Sequence, residues 1–190
     1  MTTMVAPMPG LGSRIAPDLL DEAPSSVPVL VEVMVCGGFD RGDDAAGLAV
    51  LIDLTAHLPA DVSTRFVGQL DIDDLLAIPA GAGAVVVDTA VGVDPGWVVE
   101  IPFIGFAGRE SGIHARCSDA LARPETVGVA SMIRGRTLLG MVVAIGGASF
   151  GPGEDLTWPV ASGLPAFRLA IADAIERVRA QVVAGTVAAS

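Results

Sequence analysis

Apolar positions in this chain fall into two kinds of run. Short unbroken blocks of Val, Ile, Leu and Met close on Gly, while longer stretches place apolar side chains every three or four positions. The first kind suits strands buried on both faces, the second amphipathic helices. Residues 29–36 (VLVEVMVC) form a β-branched block ending at Gly37-Gly38 and predict a buried strand. From Asp43 a helix is expected, with Ala46, Leu48, Ala49, Leu51, Ile52, Leu54 and Leu58 largely on one face, stopping before Pro59. A strand at 63–67, a short helix at 72–78 and a third strand at 84–87, closing on Asp88, follow. Residues 97–103 alternate as an edge strand or hairpin arm, 111–121 hold a short helix, and 138–145 make another buried strand. After a Gly-rich loop, 160–183 form a long amphipathic helix with Phe167, Ile171, Ile175 and Val178 on one side. No internal repeat is visible.

Strands alternating with helices imply right-handed crossovers and an α/β fold: a three-layer α/β/α sandwich around a twisted, mostly parallel sheet. Residues 29–185 carry this pattern and are expected to form one domain, whereas 1–28, with five prolines and no periodicity, read as a mobile tail. Ligands of such sheets sit beyond the carboxyl ends of the strands. Asp44 lies soon after the first strand and Asp88 directly after the third, so topology puts both carboxylates on that rim.

Composition narrows the function classes. Apolar residues make up 52% of the chain and charged ones 17%, a balance that favours a globular protein. The longest uncharged stretch, 137–153, carries five glycines and Pro152, and a spanning helix needs about 20 mostly apolar residues. The first 28 residues lack a basic start followed by an apolar block, as a signal peptide would have. The expectation is a soluble cytoplasmic protein with no membrane partner. A net charge of −11, with all 11 basic residues being scattered Arg, disfavours a nucleic-acid partner. Cys36 and Cys117 cannot make a disulfide scaffold, and their spacing of 81 is no zinc-ligand pattern. His57, near a helix end, suits the negative pole of the helix dipole better than a ligand role.

The segment from Gly37 to Gly47 is the most informative. Its glycines could cradle a phosphate, but three aspartates stand among them and there is neither a Walker Lys nor a full GxGxxG. Oxygen ligation of a cation suits those aspartates better. Two carboxylates such as Asp44 and Asp88, with one imidazole, would make a mixed O/N site with positions left open. Each also has an ordinary alternative: Asp44 at a helix start, Asp88 capping a turn, His114 as a surface imidazole. Asp43 is expected to cap the helix, and Asp40 to be a solvated loop charge.

This loop resembles the GNxLxGDDGxG signature of the hydrogenase maturation endopeptidases, which process nickel–iron hydrogenase large subunits. The resemblance continues through Val85-Val86-Val87-Asp88-Thr89-Ala90, Gly92 to Pro102, Ser111-Gly112-Ile113-His114, the strand Val142-Val143-Ala144-Ile145-Gly146 and the last helix. It implies that Asp44, Asp88 and His114 bind nickel, with Asp44 and Asp88 also in the catalytic role. It further implies that the nickel is supplied by the large-subunit precursor, whose short carboxyl-terminal extension is then cleaved. The ion could polarise the peptide carbonyl, or it could only position the substrate while an aspartate acts as general base. Two positions depart from the signature: Gly38 stands where the family has Asn, and Ala45 where it has Gly. Ala45 is expected to lose access to positive φ there. A non-catalytic assembly factor that senses nickel in the large subunit is the competing expectation, and a small nucleotide- or anion-binding module the third.

Overall fold

The two kinds of apolar run resolve into a five-stranded sheet between two helical layers. A computed structural model of the chain describes residues 27–106 and 124–188. The strands are β1 (Val31–Cys36), β2 (Val62–Gly68), β3 (Gly83–Ala90), β4 (Val98–Pro102) and β5 (Gly140–Gly146). The helices are α1 (Ala46–Thr55), α2 (Ile72–Ala77), α3 (Phe103–Phe106), α4 (Pro124–Ile133) and α5 (Trp158–Ala188), with a 3-10 turn at Gly42–Ala45 leading into α1. Strand order is β2-β1-β3-β5-β4. The first four are parallel, and β4 runs antiparallel along the edge of β5. Pro102 ends β4, where an edge strand tolerates a missing N–H.

Period-two alternation divides the core between the two layers. Val31, Val33, Val35, Val85, Val87, Val143 and Ile145 pack with α1 and α5. Met34, Cys36, Ala84, Val86, Val142 and Ala144 face Leu75 of α2 and Val127 and Ala130 of α4. Every residue of β1 and β3 is buried, which is why their sequences read as continuous apolar blocks. The buried Glu32 in that run is neutralised by Arg65, whose Nε lies 2.8 Å from Glu32 Oε1 and whose Nη1 lies 2.6 Å from Asp74 Oδ1. One guanidinium thereby ties β1, β2 and α2 together. Phe167, Ile171, Ile175 and Val178 of α5 are all buried, as their spacing predicts. Gly83 lets that helix close in: a Cβ there would sit 2.5 Å from Val178 Cγ1.

Several boundaries move. The third strand continues through Asp88 to Ala90, so Asp88 belongs to the sheet and not to a turn. In α1 the buried face is Ala46, Gly47, Leu48 and Val50, while Ile52 is exposed. Helix α4 has no counterpart among the predicted elements; its apolar residues are not gathered on one face, and Val129, Met132 and Ile133 are exposed. The expected helix at 111–121 and the tail at 1–26 lie outside the described residues. Among the described residues, no helix is long and apolar enough to cross a membrane.

From β1 the chain goes to one side, to β2, and then returns past β1 to β3 on the other. The β1/β3 boundary is therefore a topological switch point, where the crevice at the carboxyl ends of the strands opens. Val35 pairs with Val87 there, so Cys36 and Asp88 follow side by side on the same face.

Candidate functional site

Asp88 ends up in that crevice because the apolar strand carrying it is buried on both faces. Its side chain is fully buried. Oδ1 accepts the Thr89 N–H at 2.7 Å, and Oδ2 has no hydrogen-bond partner among the described residues. Burial pushes the carboxyl up to about 8; the charge of Asp44 adds to the shift and the Thr89 N–H opposes it. A buried polar atom without a partner costs free energy, so it calls for a role.

Asp44 comes from the 3-10 turn and is half-buried. Burial raises its pKa too, against the Arg41 guanidinium and the Gly38 N–H, which donates to its carboxylate. The Asp44 charge acts on both Asp88 and Cys36, so the two predicted carboxyls lie near one another at the carboxyl ends of β1 and β3. The Cys36 thiol, buried beside them, is held far above its usual pKa by burial and by Asp88. It packs as a neutral, unreactive group. His114 and Cys117 lie outside the described residues. Among the described residues no three ligand-type side chains converge.

Asp43 does something else than expected. Its side chain makes no capping hydrogen bond to the turn or to α1, whose N-cap is Ala45. Its carboxylate is fully buried and accepts four hydrogen bonds from the loop between β5 and α5. Oδ1 receives the Thr157 N–H at 2.7 Å; Oδ2 receives Ala148 N–H at 2.8 Å, Ser149 N–H at 3.0 Å and the Thr157 hydroxyl at 3.0 Å. Those N–H donors lower its pKa despite burial. Thr157 also opens α5, since its carbonyl accepts the Ala161 N–H at 2.9 Å. Asp43 thus sits at the positive end of a helix distant in sequence and not of its own.

The glycine loop offers a phosphate few donors. Gly37 N–H goes to the Gly68 carbonyl, Gly42 N–H to Glu154, Asp43 N–H to Ser149 and Asp44 N–H to Arg41. The departures from the signature find physical reasons here. A Cβ on Gly38 would come within 2.9 Å of Arg41 Cδ, so the Arg41 stem fills the space an Asn would need. Ala45 has φ −79° and ψ −3°, a right-handed conformation open to any residue, and the expected loss of positive φ is not felt. His57 Nδ1 lies 3.3 Å from the Asp53 carbonyl in the last turn of α1, as its dipole role requires.

No family model matches the chain, and no curated protein matches it. Solved structures do. The hydrogenase maturating endopeptidase HybD from E. coli superposes with a TM-score of 0.61 at 16% identity, covering 78% of this chain and 93% of that one. The fold is that of the hydrogenase maturation proteases. HybD from Thermococcus kodakarensis matches at TM-score 0.58 and 20% identity, over 77% of this chain and 99% of that one. The hydrogenase 2 maturation peptidase from a Thaumarchaeota archaeon matches at 0.52 and 23%, over 77% and 97%. This maturation-protease fold places the described carboxylates at its switch point. Sequence reading missed Thr89 and misassigned Asp43. The one available signal was the pair Asp88-Thr89 at a strand end, a polar couple where apolar residues would otherwise continue.

Proposed function

We propose that this chain is a metal-dependent hydrogenase maturation endopeptidase that removes the carboxyl-terminal extension of a nickel–iron hydrogenase large-subunit precursor after nickel insertion. The observation that carries the reading is Oδ2 of buried Asp88, unpartnered among the described residues and near Asp44, at the switch point of this fold. Two carboxyls whose pKa values are raised together form a pair for which a cation is the natural partner, because a positive charge offsets both burial and mutual repulsion. His114 is the third ligand in this reading. Nickel, arriving with the precursor, would supply Lewis acidity and an anchor for the substrate. Asp88 would give up its proton to solvent on holding the cation. Asp44, less buried and beside Arg41, is the better placed to hold or move a proton from an attacking water. The reading carries with it a cytoplasmic site of action.

One observation favours a second reading, the nickel-sensing assembly factor without cleavage. The Arg41 guanidinium lies close enough to Asp44 to lower its pKa, and so competes with a cation or a proton for that carboxylate. Incubation with nickel-loaded and nickel-free precursor decides between them. The endopeptidase shortens only the nickel-loaded form, whereas binding of that form without shortening would establish the assembly factor.

A further inference from the structure

Asp44 and Asp88 belong to different segments, so their separation depends on what joins those segments. Thr89 touches both segments. Its N–H donates to Asp88 Oδ1 at 2.7 Å, Oδ2 having no partner among the described residues, and its hydroxyl donates to the Asp43 carbonyl at 3.0 Å. Thr89 is 1% exposed, so neither bond is shared with solvent. The Asp43 end of the tie is itself fixed by the four hydrogen bonds its carboxylate accepts. The contact is tight by construction. A Cβ on Gly147 would lie 2.7 Å from Thr89 Cγ2 and 3.2 Å from Asp43 Cβ, and one on Gly42 would lie 2.7 Å from the Ser149 carbonyl oxygen.

We propose that Thr89 is a positioning residue: its backbone orients Asp88, and its hydroxyl, through Asp43, fixes Asp44 at the distance the pair needs to share one cation. This rests on the reading of Asp44 and Asp88 as the working carboxylates. The hydroxyl is the separable part. Thr89→Val keeps shape and the N–H, and the Asp43 carbonyl retains the Ala46 N–H as a donor, so no buried acceptor is orphaned. Thr89→Ser keeps the hydroxyl.

The test uses the full chain with two readouts: amide hydrogen exchange over residues 42–46 without metal, and calorimetric titration with nickel(II). Thr89→Val is expected to speed exchange at 42–46 and weaken nickel binding about tenfold, the usual effect of losing a group that orients a ligand. Thr89→Ser should stay within about twofold of the wild type in both. Equal loss in the Val and Ser variants, or wild-type behaviour in the Val variant, overturns the proposal. Asp88→Ala separates the two ideas. If it lowers nickel affinity and Thr89→Val does not, only the positioning role fails; if it leaves nickel affinity intact, the site reading fails and the proposal with it.

Discussion

Asp43 and Asp88 are both fully buried aspartates, linked through Thr89, yet their carboxyls behave in opposite ways. Asp43 is saturated with four donors and its pKa is lowered. Among the described residues Asp88 has one donor, and burial pushes it up to about 8. Burial alone therefore does not say what a carboxylate is for. The supply of donors separates them: a saturated one fastens loops together, and one with few donors is, in the reading proposed above, the one open to a cation.

The largest expected effect is on the side with few donors. Asp88→Ala should cut processing of nickel-loaded precursor by about a thousandfold or more, since several kcal/mol of transition-state stabilisation rest on such a site. Gel-shift of the precursor measures this, and near-normal processing would erase the functional half of the comparison. On the saturated side, Asp43→Asn places an amide NH2 against existing N–H donors whichever way it is turned. Its cost is expected at about 2–3 kcal/mol, a melting temperature lower by roughly 5–10 °C, read by thermal denaturation.

pH should pull the two apart. The folded-state pKa of Asp88 lies above the ordinary 3.8, so its protonated form supports the fold fully below that value. This support is lost as pH rises to about 8. Asp88→Asn, a permanently neutral mimic, should melt about 5 °C above the wild type at pH 9 and match it near pH 4. Asp43 has the reverse sign: its contribution is present above 3.8 and is lost as pH falls through its lowered folded-state value. Nickel affinity measured across the same range should rise several-fold from pH 7 to 8 as Asp88 gives up its proton, then level off.

The smallest effect sharpens the comparison. Gly38→Asn must displace only the flexible Arg41 stem, and it brings an amide toward Asp44 Oδ2, which lies 3.4 Å from the new Cβ. Asp44 would then move toward the saturated type. Carboxyl-carbon NMR should record a lowered pKa, with stability changed by less than about 1 kcal/mol.

The sheet was legible because a strand buried on both faces writes itself as an unbroken apolar block, as in VVV at 85–87. Asp88 was legible as the polar residue that ends such a block, and Asp44 through its place after β1. Asp43 was not, because its partners are 105 to 114 residues away in sequence, three of them backbone N–H groups that no side chain announces and the fourth a common threonine hydroxyl. Local propensity offers a capping role to any aspartate at a helix start, and only tertiary structure shows which helix it serves. Helix α4 was missed for a related reason: among the residues where burial is described it commits only Val127 and Ala130 to the core, too few to leave a period in the sequence.

Helix α5 begins at the Asp43 clamp and passes over Gly83, the first residue of β3, near Val178 and Val182. It therefore runs from the crevice end of the sheet to the opposite end. Thirty-one residues carry it roughly 45 Å. A tether attached at residue 188 would hold the molecule by its far pole, leaving the carboxyl ends of the parallel strands facing outward.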